Sequence, residues 1–218
     1  MFKMRRAALV LAAVAAFASP GLPAAREAVP VAAESQAGRA LVERLRAGGL
    51  VLFFRHADTR GMPCDSGYRI GEREGQRNIS PAGRDQARSI GAALERLGVP
   101  VQRPVIAGPV FRARDTAELA FGADAVEVTD ELLADDYAGG RLSAVLDGHR
   151  RLLAQAPPAG LNRVLVGHRT PAIMVLGPAV DGAAFPEGAA LVLEPGATAR
   201  LLGILELAPL EGGGFHDC

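Results

Sequence analysis

The sequence predicts an α/β fold: a three-layer sandwich in which a mostly parallel central sheet carries helices on both faces. Short continuous apolar runs, "LVLFF" at 50–54 and "VLVG" at 164–167 among them, have the character of strands covered on both sides. Segments with helical spacing alternate with these runs, and a β-α-β-α order favours parallel strands joined by helical crossovers. The 218 residues, 49% hydrophobic and 22% charged, fit one domain of ordinary core size, and no internal repeat is visible.

Residues 1–25 read as a signal peptide. Lys3, Arg5 and Arg6 precede an apolar run from Ala7 to Ala18, too short to span a bilayer comfortably and of the length of a signal-peptide core. Ala16-Phe17-Ala18 fits a small-x-small cleavage site, with Pro23-Ala24-Ala25 as a weaker one. Export to the periplasm or the medium is expected, with no stable membrane insertion after cleavage. No Cys follows the apolar run closely, which disfavours a lipoprotein. Residues 26–38 read as a linker rich in Ala and Pro, and 39–218 as a single domain.

Within that domain, 50–54 is the first predicted strand and 57–79, rich in Gly and Arg, a long loop. Ser80-Pro81 opens a helix, since Ser caps and Pro suits the first helical position. Ala87, Ile90, Leu94 and Leu97 continue it to Gly98. "PVIAG" (104–108) is a strand, 110–122 a helix closing on Gly122, and "VEV" (126–128) a short strand. A helix is predicted over 141–155, a strand over 163–168 and a helix over 170–177. "AALVLE" (189–194) and "RLLGILEL" (200–207) finish as strands.

Formal net charge is zero, so nothing points to bulk binding of nucleic acid or an anionic membrane, and any anion site must be local. There is no Trp and there are two Tyr, which disfavours a base-stacking platform. Cys64 and Cys218 could pair in an oxidising compartment, but two cysteines make no disulfide framework and have no zinc-site spacing.

Parallel α/β sheets bind ligands beyond the carboxyl ends of their strands. One predicted strand ends in Arg55-His56, the next leads through Gly108-Pro109 to Arg112 and Arg114, and a third ends at His168-Arg169. If these strands are neighbours, two histidines and at least two arginines share a pocket suited to a tetrahedral anion. Arg offers a fork matched to phosphate oxygens. A neutral imidazole can attack phosphorus, fixed cations stabilise the transferring group, and a carboxylic acid must protonate the leaving oxygen. Singly, each element also fits an ordinary solvated loop or helix face; the order and spacing together carry the reading.

Four motifs resemble those of the histidine phosphatase superfamily, which includes the cofactor-dependent phosphoglycerate mutases. "FFRHADT" is similar to its Arg-His-Gly/Ala signature, "NISPAGRDQARSIGAAL" to its Leu-Ser-x-x-Gly-x-x-Gln-Ala helix, "GPVFRARDTAELAFG" to its Ser-Pro-x-x-Arg-Ala-x-x-Thr-Ala segment, and "VLVGHRTP" to its late Val-x-His motif. They occur in family order, and the exported start resembles small secreted bacterial members. The resemblance implies that His56 is the phospho-accepting nucleophile, that Arg55 and Arg112 clamp the phosphoryl oxygens, and that His168 donates a hydrogen bond to them. It implies no metal and no other cofactor. Three departures stand out: Gly108 where Ser is usual, Asp58 where Glu is more usual, and Arg169 as a further cation that suits a second anionic group on the substrate.

The acid is open between Glu187, which precedes a strand that the resemblance makes antiparallel, and Asp135 of "LADDYAG", with Asp136 and Glu131 as neighbours. Glu187 is slightly favoured. His149 reads as a surface residue of its helix, and the C-terminal "HDC", after a Gly run, as a frayed tail. The expected function is an exported, metal-independent phosphomonoester hydrolase with a phosphohistidine intermediate, acting on a phosphorylated small-molecule or surface substrate. A degenerate binder of phosphorylated ligands with the same fold is the alternative. A metal-dependent hydrolase using His56 and His168 ranks lower, because the arginines repel a cation.

Overall fold

The computed structural model describes residues 28–216. The segment 1–25 read as a signal peptide, and Cys218, lie outside the described residues. Strands β1 (Pro30–Ala32), β2 (Val51–Arg55), β3 (Val105–Ala107), β4 (Val126–Val128), β5 (Arg163–Gly167), β6 (Ala190–Glu194) and β7 (Arg200–Glu206) form one sheet in the order β1-β7-β6-β2-β5-β3-β4. The pairs β2·β5, β5·β3, β3·β4 and β1·β7 are parallel, and β6 runs antiparallel to both β2 and β7. The mostly parallel sheet expected from the sequence is the one observed.

Strand alternation divides the core. Leu52, Phe54, Val164, Val166 and Val192 point to one face, where helices α1 (Gln36–Ala47), α2 (Pro81–Arg96) and α3 (Phe111–Phe121) pack with Val42, Leu45, Ile90, Leu94 and Ala117. Val51, Phe53, Leu165 and Leu191 point to the other, against Leu152 and Leu153 of α5 (Leu142–Ala154), Ala172 of α6 (Arg169–Leu176), and Phe185. A short helix, α4 (Asp135–Ala138), lies between β4 and α5. Because the strands are buried on both faces, their sequences are continuously apolar rather than alternating. Each fully buried Phe or Leu contributes roughly 1.5–3 kcal/mol.

Two readings need correction here. The segment read as a linker supplies β1, which pairs Pro30 with Ile204 and Ala32 with Glu206. It also supplies Ser35, whose side chain caps α1 by accepting from the Gly38 N–H at 3.0 Å. Ala-rich composition suggested a linker, but Gly38, Val42 and Leu45 repeat at helical spacing and are all buried. His149 is not a surface residue: it is fully buried on α5, its Nδ1–H donates to the Val145 carbonyl at 2.9 Å, and its ring lies 6.1 Å from that of Phe53. Val145, His149 and Leu152 share one helical face, and the face rather than the polarity of the ring decides its burial.

Candidate active site

The carboxyl ends of β2 and β5 are adjacent, Arg55 lying opposite Gly167. The next residues, His56 and His168, leave the sheet side by side with ring centroids 5.5 Å apart. β3, the other neighbour of β5, leads through Gly108 into α3 and delivers Arg112 one residue past its start. Arg55, His56, Arg112 and His168 are all at least nine-tenths buried. Polar burial on this scale is costly unless the groups have partners or a task.

Side chains from two helices and a loop hold the segment after His56 open. Thr116 of α3 accepts the Ala57 N–H at 2.9 Å and donates its hydroxyl to the Arg112 carbonyl at 2.7 Å. Gln86 of α2 accepts the Asp58 N–H at 2.9 Å. Ser80 caps α2, accepting from the Gly83 N–H at 2.9 Å, and donates its hydroxyl to Asp58 at 2.6 Å. A Cβ on Gly83 would meet the Asp58 carbonyl oxygen at 2.2 Å, so only Gly lets α2 press this closely on the loop. The helix motifs of the sequence are thus the scaffold of the His56 loop.

His56 Nδ1–H donates to the Ala57 carbonyl at 2.9 Å, which leaves Nε2 as the lone-pair nitrogen. Burial, then Arg112, Arg55 and His168, push its imidazole well below the ordinary range and keep it neutral. His168 is lowered well below that range by burial, then by Arg112, and among the described residues neither of its ring nitrogens has a hydrogen-bond partner. The Nε atoms of Arg55 and Arg112 are buried and unpartnered in the same way. Burial lowers Arg55 to about 10, with Glu187 opposing. Among the described residues the unpartnered N–H groups of Arg55 Nε, Arg112 Nε and one nitrogen of the neutral His168 ring are three donors, a set whose chemistry suits a tetrahedral oxyanion.

The architecture that carries this site recurs in solved structures. The protein histidine phosphatase SixA in complex with tungstate matches with a TM-score of 0.50 at 16% identity, over 72% of this chain and 97% of that one. The chain has the histidine phosphatase fold. TTHB049 from Thermus thermophilus (TM-score 0.48, 22% identity, 72% of this chain and 98% of that one) and the mycobacterial glucosyl-3-phosphoglycerate phosphatase Rv2419c (0.45, 20%, 71% and 97%) are similar as well. No family model matches the sequence, and no curated protein does.

On this histidine phosphatase fold the remaining candidates separate. Glu187 is brought in by the reversal of β6, whose first residue pairs with Phe54 at the far end of β2. Its Oε1 accepts from the Thr59 hydroxyl at 2.8 Å and from Arg55 Nη2 at 3.3 Å. Its Oε2 accepts from the Thr59 N–H at 3.0 Å and from His216 Nδ1 at 2.8 Å. Four donors fill the accepting positions of one carboxylate, which leaves none facing a leaving group. Asp135 opens α4 half-buried; burial and Asp136 raise its carboxyl above the usual range, against Arg112 and Thr170. Its neighbour Asp136 is exposed, and Glu131 pairs with Arg151. Arg169 Nη2 donates to Asp181 at 3.0 Å and to the Gly182 carbonyl at 2.7 Å, so the turn at 181–182 already engages it.

The tail is not frayed where it is described: His216 sits on Glu187 and also receives Arg60 Nε at 3.3 Å. Sequence reasoning missed Asp65 too. Both its oxygens accept from Arg112 Nη1, at 3.2 and 3.1 Å, while the Tyr137 hydroxyl donates to it at 2.5 Å. Nothing in the Gly-rich loop marked that residue. Gly108, the departure from the usual Ser, now has a cause: a Cβ there would stand 2.2 Å from the Leu132 carbonyl oxygen. Among the described residues one trio, Asp58, Glu187 and His216, brings ligand atoms within 4.8 Å of one another. Arg55 on Glu187 and Arg60 on His216 already supply the cations, a poor setting for a metal ion.

Proposed function

We propose that this chain is an exported, metal-independent phosphomonoester hydrolase that works through a phosphohistidine at His56. The observation that carries the reading is the set of buried, unpartnered nitrogens on Arg55, Arg112 and His168 around a histidine whose Nε2 is free. Tungstate, with which the SixA structure is complexed, has the tetrahedral oxyanion form that such a set suits. Export is supported by the basic-then-apolar start of the sequence.

In this mechanism Arg55 and Arg112 hold the phosphoryl oxygens through their Nε edges, and His168 donates one ring N–H to the same group. Neutral His56 attacks phosphorus through Nε2 while the ester P–O bond breaks. We assign the acid to Asp135 rather than Glu187. Its carboxyl, raised by burial and by Asp136 and near enough to Arg112 to feel its charge, can give a proton to the leaving oxygen, and as the carboxylate it then takes one from the water that attacks phosphohistidine. Orthophosphate leaves and His56 returns to its neutral form. Glu187 keeps Arg55 and the Thr59 backbone in place. The substrate class is a phosphorylated small molecule or surface group, with Arg169 as a candidate contact for a further anionic group.

The test is turnover of a panel of phosphomonoesters with and without chelator, and an alkaline quench during turnover, since phosphohistidine is acid-labile. The expected result is chelator-insensitive hydrolysis with label on His56, lost in His56→Ala. Phosphate binding without any turnover would favour the degenerate binder instead. Turnover that dies with chelator and returns with zinc would overturn the mechanism.

A further inference from the structure

We infer that His216 is a positioning residue for the phosphate-binding edge of Arg55, acting through Glu187. The inference rests on the assignment of Arg55 to phosphate binding. Arg55 has five N–H donors. Nη1 spends its two on the carbonyls of Phe185 at 2.9 Å and Gly214 at 3.0 Å, and Nη2 gives one to Glu187 at 3.3 Å. What remains is the edge made by Nε–H and the second Nη2 hydrogen, with Nε buried and unpartnered. That edge has the fork geometry that binds two oxygens of a phosphate.

A carboxylate has the same geometry, and the Glu187 carboxylate, its side chain fully buried, is the nearest rival for the edge. What keeps it to a single contact with Arg55 is its other partners. Thr59 holds both oxygens, and His216 Nδ1 holds Oε2 at 2.8 Å. Arg60 Nε donates to the other ring nitrogen, so the neutral ring protonated at Nδ1 satisfies both neighbours at once. Asp58 Oδ1 lies 3.7 Å from His216 Nε2, beyond a good hydrogen bond.

The tail that carries His216 is fastened along the same line. The Glu187 N–H donates to the Gly214 carbonyl at 2.9 Å, and Arg77 Nη1 donates to the His216 carbonyl at 3.1 Å. The guanidiniums of Arg55 and Arg169 lie 5.1 and 5.4 Å from the centre of the Phe215 ring. Without the His216 N–H, Oε2 of Glu187 loses a donor, and the cheapest replacement is the free edge of Arg55. The carboxylate then takes the place of the substrate's oxygens. His216 therefore acts by keeping Glu187 from competing with phosphate.

The experiment measures orthophosphate affinity by calorimetry, and KM and kcat on 4-nitrophenyl phosphate, for the full chain and its variants. His216→Ala should weaken phosphate binding and raise KM by about tenfold while kcat changes less than about threefold, the pattern of lost binding rather than lost chemistry. Asn carries its NH2 where His carries Nδ1, and Gln where His carries Nε2. His216→Asn should therefore recover most of the affinity and His216→Gln should not, a contrast that stands even if the Ala variant folds poorly. In the Glu187→Ala background, His216→Ala should add nothing. Equal affinity in wild type and His216→Ala, or equal rescue by Asn and Gln, overturns the inference and leaves His216 a tail anchor. Failure of the wild type itself to bind phosphate defeats the phosphatase reading first, and this inference with it.

Discussion

The rings of His56 and His168 face each other at 5.5 Å, tilted by 55°, at a point where burial and two arginines oppose a proton on either. Both residues fold as neutral imidazoles in a setting that penalises the cation. His149, lowered by its own burial, adds a third.

Stability should depend on pH accordingly. The folded values lie below the ordinary 6.5, so below 6.5 the unfolded chain binds more protons. The stability carried by the neutral rings is fully present above 6.5 and drains away as pH falls through the window beneath it. Each ring contributes a slope of up to about 1.4 kcal/mol per pH unit there. Urea unfolding in phosphate-free buffer at a series of pH values checks this, and His149→Leu should flatten the slope by one ring's share. Stability that is level or rising on acidification through that window contradicts it.

The acid can be found through the leaving group. Asp135→Asn should reduce kcat/KM for alkyl phosphates by about a hundredfold and for 4-nitrophenyl phosphate by less than about threefold. The reason is that kcat/KM reports the first, phosphorylating step, from which a nitrophenolate departs without a proton, whereas the later attack of water is common to both. Glu187→Gln should reduce both alike, by loosening Arg55 and Thr59. Were the leaving-group dependence to appear in Glu187→Gln and not in Asp135→Asn, the two roles would be exchanged.

Asp65 balances a buried cation. Its side chain and that of Arg112 are 11% and 5% exposed. Asp65→Ala strands Arg112 and should cost about 3 kcal/mol in urea unfolding. Tyr137→Phe removes one hydrogen bond to the same carboxylate and should cost about 1 kcal/mol. An Asp65→Ala variant as stable as wild type, with a lowered KM, would instead mean that Asp65 competes with substrate for Arg112.

Gly108→Ser restores the residue usual in similar motifs, yet its Cβ would stand 2.2 Å from the Leu132 carbonyl oxygen. Overpacking of this kind should destabilise the protein by about 1–3 kcal/mol and slow turnover. A faster enzyme of unchanged stability would show that the backbone at Leu132 yields easily.

The parallel sheet was legible because β2 and β5 are covered on both faces and so read as unbroken apolar runs. The Ser80 cap was legible because cap, Pro and helical spacing are local signals. Arg55, His56 and His168 stood at or just past strand ends and Arg112 at the start of the helix that follows one, and the sheet order brings those ends together. The partners of these residues were hidden. Asp65 reaches Arg112 across 47 residues and His216 reaches Glu187 across 29, from segments with no periodicity to read. His149 was hidden otherwise: its helical face pointed inward, and its polarity masked that.

The span of sequence that Arg55 bridges has a consequence for the order in which the molecule is assembled. Its carbonyl partners lie 130 and 159 residues further along, at Phe185 and Gly214. Contacts of such separation form late, because a long loop must close before they return any energy. The helices, built on local contacts, can form while the guanidinium still lacks two of its acceptors, but the β2·β6 and β1·β7 pairings close loops as long and form with them. Refolding followed by far-ultraviolet circular dichroism should therefore run ahead of the recovery of phosphate binding. Between the two events the molecule would hold its helices without a finished sheet or a closed cradle around Arg55.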